Sequence, residues 1–368
     1  MPQLNPPRRL LFGPGPTQVH PRVYEAMGKP IVHHLDPFLF EVYEDIRRGL
    51  RTVFGTENSF VQVITGTGSA GMEASLANFI EPGQKLAVFT AGFFAERFVE
   101  MGRRHGAVVV CCSKPWGETF SEAEASAFLD REKPHAVAVV HAETSTGALQ
   151  DLVAITKPAR AIGAITIADC VTSLGSMPIN VDATGVDVAF SCIQKGLSCP
   201  PGLSPITVSP GAVERLRARK APCPIWYLDL KLLLDYYEGA HRYHHTAPIS
   251  TFYALHEGLS IVHEEGIGPR FARHQAMHDE FVRRMEAAGF EMFIADDARR
   301  ITTINTIRVP QGMNDVEARR RLLEKYDIDI AGGFGQLAGK IFRIGVMGPL
   351  ATPDNVDLLT GALIDCLR

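Results

Sequence analysis

The sequence predicts an α/β protein with a mainly parallel central sheet covered by helices, followed by a smaller α+β domain. Between residues 22 and 260, short apolar runs of strand length alternate with amphipathic stretches of helix length. This alternation is typical of βαβ units and of a parallel sheet. The apolar runs are almost continuous, as expected for strands that are buried on both faces. Beyond residue 260 the order changes, because helix-length stretches flank isolated strand-like segments.

Chain length and proline placement divide the molecule into three predicted parts. A chain of 368 residues is too long for one small domain and favours a large domain with a smaller one. Prolines and glycines crowd the start of the chain and predict an irregular N-terminal arm, residues 1–20, suited to lie on a neighbouring subunit. The predicted large domain comprises residues 21–262, and the predicted small C-terminal domain comprises residues 263–368.

The periodicity of apolar residues places the individual elements. In the large domain, strands are predicted at 60–65, 85–90, 107–112, 136–141, 165–169 and 186–192, and helices at 69–79, 94–102 and 154–162. In the small domain, helices are predicted at 270–288, 316–326 and 353–367, with strands at 303–309 and 340–344. Thr352 is predicted to cap the last helix.

Composition and charge exclude several classes of protein. The formal net charge is −4, and the basic residues are scattered or lie at helical spacing, which argues against a nucleic-acid surface. No apolar run approaches the roughly 20 residues of a membrane helix. The seven cysteines show neither paired nor metal-type spacing, which fits a reducing compartment. The sequence therefore predicts a cytoplasmic protein that binds neither nucleic acid nor a membrane.

An acid and a lysine follow two predicted strands. The strand at 165–169 ends in Asp169, and Lys195 follows the strand at 186–192. The carboxyl ends of parallel strands converge on the ligand crevice of an open α/β sheet. An Asp beside a pyridinium nitrogen keeps that ring protonated, and a lysine there can form a Schiff base. A simple ion pair at the sheet edge explains the two residues equally well.

The glycine-rich turn TGTGS at residues 65–69 lies between a predicted strand and a predicted helix. Backbone N–H groups at such a helix start, with its partial positive charge, make an anion site. Gly66, Gly68 and Gly71 match GxGxxG, but no suitable acid follows about 20 residues later and no P-loop pattern is present. The turn therefore favours a phosphate monoester over a dinucleotide. A glycine turn needed only for tight backbone geometry is the alternative.

Two further positions are candidates for binding a flat, anionic ligand. Phe93 and Phe94 follow another strand end, where an aromatic ring can stack on a planar cofactor or simply fill the core. Arg343 interrupts an apolar strand of the small domain. Its planar guanidinium suits a carboxylate, and a structural salt bridge is the alternative.

The histidines and cysteines of the sequence predict neither a metal site nor a catalytic thiol. The histidines at 33–34 and 241–245 lack an acidic ligand at useful spacing, so no metal site is predicted. Cys192 and Cys199 flank Lys195, but no histidine is placed by sequence to activate either thiol, and both are expected to be small core residues.

Seven stretches spread over nearly the whole chain carry a family resemblance. They are LLFGPGPT (10–17), TGTGSAGMEASLAN (65–78), HAETSTGALQ (141–150), ADCVTSLGSMPINVD (168–182), SCIQKGLSCPPG (191–202), RYHHTAP (242–248) and GGFG with GKIFRIGVMG (332–348). Together they resemble the class V branch of the fold type I pyridoxal 5′-phosphate (PLP) enzymes. The match is closest to the alanine–glyoxylate/serine–glyoxylate (serine–pyruvate) aminotransferases.

The resemblance implies a role for each matching residue. Lys195 would carry PLP as a Schiff base, and Asp169 would face the pyridinium nitrogen. Arg343 would clamp the substrate α-carboxylate, with Gly15 also on the substrate side. The remaining cofactor contacts would be Thr67, Gly68, Ser69 and Gln194 at the phosphate, Phe94 and Val171 on the two ring faces, and Thr144 at the ring oxygen. Tyr243 and Thr246 would reach the phosphate of the neighbouring subunit's cofactor, which makes a homodimer obligatory.

The chain departs from the family pattern at two of these positions. Ser69 stands where animal members have a histidine, and Phe94 stands where the family usually has a stacking tryptophan. Both changes alter the cofactor's surroundings without removing a chemically required group.

The implied reaction is transfer of an amino group from alanine or serine to glyoxylate, giving pyruvate or hydroxypyruvate and glycine. Ureidoglycine or another small donor is the nearest alternative. A cysteine desulfurase or β-lyase typically has His before the lysine, whereas Gln194 stands here. A catalytically silent relative is a third alternative, against which the intact Lys195, Asp169 and Arg343 argue.

Overall fold

The computed structural model describes residues 1, 3–237 and 241–367; Pro2 of the predicted arm, residues 238–240 and the last residue of the predicted small domain lie outside it. The α-helices are α1 (Pro21–Met27), α2 (Pro37–Phe54), α3 (Gly68–Phe79), α4 (Phe93–Arg104), α5 (Glu122–Glu132), α6 (Val153–Ala161), α7 (Val181–Thr184), α8 (Pro210–Ala218), α9 (Leu230–Tyr237), α10 (Ile249–Glu265), α11 (Ile267–Ala287), α12 (Asp315–Tyr326) and α13 (Pro353–Cys366). The strands are β1 (Leu10–Leu11), β2 (Phe60–Thr65), β3 (Lys85–Thr90), β4 (Val108–Ser113), β5 (Ala136–Val140), β6 (Ala142–Glu143), β7 (Ala148–Leu149), β8 (Ile165–Asp169), β9 (Val188–Phe190), β10 (Leu203–Val208), β11 (Ile304–Arg308), β12 (Ile328–Asp329), β13 (Ala331–Gly332) and β14 (Ile341–Gly345).

Seven strands form the central sheet, in the order β2-β10-β9-β8-β5-β3-β4. The run from β9 to β4 is parallel, and β10 is antiparallel to both of its neighbours. Every residue of β5 and β8 is buried, because helices cover both faces of the sheet. The predicted α/β class with a mainly parallel central sheet is therefore confirmed. Strand β10 was not assigned from the sequence.

Helix boundaries follow local capping chemistry. Asp36 accepts a hydrogen bond from the Phe38 N–H at the start of α2, and Gly55, with φ of +65°, ends that helix. At α13, Thr352 caps the Asn355 N–H, as predicted. Helix α2 was not assigned from the sequence, although Asp36, Pro37 and Gly55 are its start and stop signals.

Two large hydrophobic clusters organise the packing. The larger one surrounds the central sheet and draws on residues from Val19 to Val262. The second surrounds the antiparallel sheet β11-β14-β13 and includes Phe12 from the N-terminal segment. Leu10 pairs with Ile328, so this part of the predicted arm packs against the C-terminal part of its own chain. The predicted domain boundaries at 20 and 262 stay predictions.

The two sheets present their polar side chains to a common space. Asp169 is the last residue of β8 at the carboxyl edge of the central sheet, while Arg343 lies in the middle of β14, opposite Thr306 and Ala331. Among the helices of the described residues, none is long and apolar enough to cross a membrane.

Candidate active site

A cavity of about 670 Å³ lies at the carboxyl edge of the central sheet. Its walls come from the ends of the parallel strands, the N-terminal segment at 11–16 and the strands β13 and β14. This is the position at which open α/β sheets bind their ligands. The cavity brings together all of the predicted site residues except Tyr243 and Thr246, namely Gly15, Thr67, Gly68, Ser69, Phe94, Thr144, Asp169, Val171, Gln194, Lys195 and Arg343.

Asp169 and Lys195 are buried residues that line this cavity. The Asp169 carboxylate accepts a hydrogen bond of 2.8 Å from the Val171 N–H, and burial raises its pKa to about 7. Burial lowers the pKa of Lys195 to about 8. No ion pair joins these two described residues, so the simple ion pair considered from the sequence is not formed. Perturbed titratable groups in a cleft are typical of catalytic sites.

The turn after β2 leaves hydrogen-bond donors free. Helix α3 begins at Gly68, and Thr67 makes no side-chain capping bond. The N–H groups of Gly68 and Ser69 donate to no protein acceptor in the part of the chain described here. The Gln194 carbonyl Oε1 in the same cavity is buried without a hydrogen-bond partner. Free donors at a helix start form a site for an anion such as a phosphate.

Gly68 and Val171 lie in close contact beside this turn. A Cβ added to Gly68 would come 2.7 Å from Val171 Cγ2, so any side chain at position 68 would collide with Val171. Nearby, the Thr144 hydroxyl is hydrogen-bonded to the hydroxyl of Thr172. Both Val171 and Thr144 line the cavity.

Phe94 extends from the first turn of α4 into the cavity wall. Its ring centroid lies 6.4 Å from that of Phe334 and 4.9 Å from the Arg97 guanidinium carbon. Arg97 in turn donates a hydrogen bond of 3.0 Å from Nη1 to Ser69 Oγ. Ser69 is therefore hydrogen-bonded to an arginine of this chain.

Arg343 is a buried cation of the small sheet. Its Nε donates to the Gly332 carbonyl at 2.8 Å, and its guanidinium carbon lies 3.8 Å from the centre of the Phe334 ring. Burial lowers its pKa to about 10. The structural salt bridge considered from the sequence is not formed, because Arg343 has no carboxylate partner among the described residues. A buried guanidinium without a carboxylate partner is suited to bind an anionic ligand.

Tyr243 and Thr246 lie outside this cavity. Tyr243 is 59% exposed, and its ring centroid is 5.0 Å from that of His34. Thr246 is also exposed. The structure therefore leaves both side chains available on the surface.

Buried thiols next to Lys195 have no nucleophilic character. Cys192 and Cys199 are fully buried, and burial raises the pKa of each to about 12. Both thiols are neutral near pH 7, as expected of core residues.

Sequence reasoning missed three residues that contact the predicted ones. Phe334 stacks on Arg343, Arg97 bonds to Ser69, and Glu143 accepts hydrogen bonds from the start of α4. Phe334 and Glu143 stand inside the quoted motifs GGFG and HAETSTGALQ, so the motifs carried a signal for them. Arg97 had no sequence signal beyond its place on an amphipathic helix.

The chain is similar to known proteins along its whole length. The family described as aminotransferase class-V matches residues 9–357. Alanine–glyoxylate aminotransferase of Callithrix jacchus is 35% identical over 368 residues, covering 99% of this chain and 89% of that protein. (S)-Ureidoglycine–glyoxylate transaminase of Bacillus subtilis is 34% identical over 372 residues, covering 96% and 89%. The crystal structure of alanine–glyoxylate aminotransferase from a Nostoc species superposes with a TM-score of 0.98 at 43% identity, covering 100% of this chain and 97% of that one.

Proposed function

The chain belongs to the class-V aminotransferases, and from this membership we propose that it uses PLP to transfer the amino group of alanine or serine to glyoxylate. The predicted family and the fold type I class are confirmed by the whole-chain matches. One observation carries the proposal. Lys195, buried and with a lowered pKa, shares a cavity with Asp169 and with an arginine that has no carboxylate partner in the described residues.

The residues of the cavity fit a flat pyridine ring with a phosphate. The free N–H groups of Gly68 and Ser69 suit a bound phosphate monoester, to which the Gln194 side chain would donate from its amide Nε2. Thr67, Gly68, Ser69 and Gln194 would hold the phosphate, Phe94 and Val171 the ring faces, and Thr144 the ring oxygen. Bound PLP supplies a pyridinium ring that withdraws electrons from the substrate α-carbon.

Lys195 would move the proton of the reaction. Its pKa of about 8 leaves a substantial neutral fraction at neutral pH, so Nζ can accept the α-proton of the donor and release it again. The buried Asp169 carboxylate would hold the ring nitrogen in its protonated form. In the second half of the cycle, Lys195 would move a proton in the reverse direction onto the carbon of glyoxylate that becomes the α-carbon of glycine.

Arg343 would orient both substrates. Its guanidinium, fixed by Gly332 and Phe334, would bind the α-carboxylate of the donor and then that of glyoxylate. Binding of this carboxylate directs the α-carbon toward Lys195. The proton transfer then takes place between groups that are already held in the right geometry. Gly15, which lies against Lys195, would leave room for the substrate on that side.

The donor and acceptor follow from the relatives. Two relatives have alanine and glyoxylate in their names, and the third has ureidoglycine and glyoxylate. Glyoxylate is the shared acceptor, so we propose it here. Alanine or serine would give pyruvate or hydroxypyruvate. Ureidoglycine is retained as the second candidate donor, because its named enzyme is 34% identical to this chain.

Absorbance spectroscopy of the PLP-loaded protein tests this function. Alanine or serine should bleach the yellow colour, and glyoxylate should restore it. Bleaching by ureidoglycine alone would move the assignment to the second candidate, and release of sulfide from cysteine would favour a desulfurase. A spectrum that no amino acid changes would contradict the aminotransferase proposal. The Lys195→Ala variant should show no turnover with any donor.

We also propose a cytoplasmic homodimer that completes its sites with Tyr243 and Thr246 of a second copy. Both side chains are exposed, and exposed Trp226 and Tyr227 lie near the same segment. Mixing subunits tests this arrangement. Lys195→Ala and Tyr243→Ala proteins should each have low activity, and refolding them together should restore one intact site per mixed dimer. No recovery in verified mixed dimers would contradict shared sites.

A further inference from the structure

Glu143 is a fully buried carboxylate to which the mechanism above gives no task. It ends β6 and is 5% exposed. Its Oε1 accepts hydrogen bonds from the Ser145 hydroxyl at 2.6 Å and the Ser145 N–H at 3.0 Å. Its Oε2 accepts from the N–H groups of Phe94 at 3.2 Å and Ala95 at 3.3 Å. Burial raises its pKa, while each of these hydrogen bonds favours the ionised form.

These bonds make Glu143 the cap of a distant helix. Helix α4 begins after Gly92, which has no side chain to cap the first turn. Ser145 Oγ accepts from the Phe93 N–H at 3.0 Å, so Glu143 and Ser145 together bind the first three N–H groups of α4. A Cβ at Gly92 would stand 2.3 Å from Glu143 Cγ, which explains the glycine at this cap. A negative charge at a helix start is stabilising.

The segment that carries this cap also carries Thr144, another predicted site residue. Thr144 follows Glu143 directly, and the Thr144 carbonyl lies 3.5 Å from Arg343 Nη1. The hydrogen bonds between Glu143 and α4 therefore hold two site residues in fixed relative positions: Phe94 at the start of α4 and Thr144 in the turn after β6. The charge of Glu143 also raises the pKa values of Asp169, Lys195 and Arg343.

We propose that Glu143 is a positioning residue for the cofactor, which joins α4 to the 143–147 turn so that Phe94 and Thr144 take their places around the ring. This role rests on the proposed PLP function. It requires the carboxylate specifically, because a glutamine has one acceptor oxygen, so its amide NH₂ would face either the N–H donors of Phe94 and Ala95 or the N–H of Ser145.

The PLP dissociation constant of the apo-protein measures this role without turnover. Glu143→Gln is expected to weaken PLP binding roughly 10- to 100-fold, the range for loss of hydrogen bonds to a charged group. Glu96→Gln is the matched control, because Glu96 lies exposed in the first turn of the same helix. It should stay within about 2-fold of the wild type. Equal PLP binding by Glu143→Gln and the wild type would overturn the proposal.

A double-variant cycle separates positioning from general loss of structure. If Glu143 acts through Phe94, then Glu143→Gln should weaken PLP binding little further in a Phe94→Leu background. Full additivity of the two changes would overturn the proposal. Ser145→Ala, which keeps the carboxylate but removes the hydroxyl that bonds both Glu143 and the Phe93 N–H at the start of α4, provides the same cycle if Glu143→Gln does not fold. Failure of the wild type to bind PLP would instead contradict the cofactor assignment.

Discussion

Gly15 lies directly against the side chain of Lys195. A Cβ built on Gly15 would stand 2.7 Å from Lys195 Cδ and 2.8 Å from Cε. The N-terminal segment thus forms a wall along the lysine stem, and only a residue without a side chain fits there. This contact ties a residue of the predicted arm to the proposed catalytic group.

Replacing Gly15 by alanine is expected to displace Lys195. The φ of +120° at Gly15 also disfavours any other residue. Because a shift of about 1 Å in a reacting group can cost roughly 100-fold in rate, we expect kcat to fall by about that factor. Gly13→Ala is the control, since a Cβ there meets nothing within 4 Å. Steady-state kinetics compare the two variants; similar kcat values for both would show that this contact does not position the lysine.

Much of the central sheet could be predicted because its strands are continuous apolar runs, as in β5 and β8. Strand β10 was missed because Pro205 stands inside it, opposite Val63, and proline usually argues against an inner strand. Its antiparallel pairing with β2 and β9 arises from tertiary contacts that no local pattern encodes.

Formation of the Schiff base at Lys195 is expected to depend on pH with a midpoint near 8. Burial lowers the Lys195 pKa from 10.5 to about 8, so half of the amine is neutral at pH 8, against about 0.3% for an ordinary lysine. Only the neutral amine attacks an aldehyde. Stopped-flow absorbance after adding PLP to the apo-protein should therefore give a rate that rises through a midpoint near pH 8 and levels above about pH 9. With Nα-acetyl-lysine in place of the protein, the rate should keep rising beyond pH 10. The same continued rise in the protein would contradict the lowered pKa of Lys195.

Substituting Arg343 by lysine is expected to weaken substrate binding. Lysine keeps the charge but loses the planar fork that binds a carboxylate and the face that stacks on Phe334. We expect the KM for the amino donor and for glyoxylate to rise roughly 10- to 100-fold. Arg308→Lys on the neighbouring strand β11 is the control, because Arg308 is exposed and pairs with Glu291. An unchanged KM in Arg343→Lys would remove Arg343 from the substrate site.

The carboxyl ends of parallel strands converge on one crevice, and this was enough to predict from the sequence that Asp169 and Lys195 lie in the same site. The contacts that position the other site residues could not be predicted in this way, because most of them join residues far apart in the chain. Phe334 lies only nine residues before Arg343, on which it stacks, but 240 residues after Phe94, whose ring centroid is 6.4 Å from its own. The capping of α4 by Glu143 spans 49 residues, so no local sequence pattern announces it.

Protonation of His274 is expected to limit the acid stability of the protein. The ring is completely buried, its Nδ1 bonds to the Arg270 carbonyl at 2.8 Å, and its Nε2 accepts from the Gly348 N–H at 3.0 Å. These partners require a neutral ring with the proton on Nδ1. Burial, with the charges of Arg270 and Arg273, lowers its pKa to about 3.

The sign of the pH effect follows from this lowered pKa. Above pH 6.5 the histidine is neutral in both states and has no effect. As the pH falls below 6.5, the unfolded chain binds a proton that the folded protein excludes until about pH 3, so the free energy of unfolding decreases. Between pH 7 and pH 5 the loss from this one group is about 2 kcal/mol.

The His274→Gln variant should lose this pH dependence. Over the same interval, its free energy of unfolding should fall by about 2 kcal/mol less than that of the wild type. Urea denaturation at pH 7 and pH 5 measures the difference. His263→Gln is the control for replacing a histidine, because His263 is exposed in the last turn of α10. Parallel losses in the wild type and His274→Gln would show that His274 takes up its proton without unfolding.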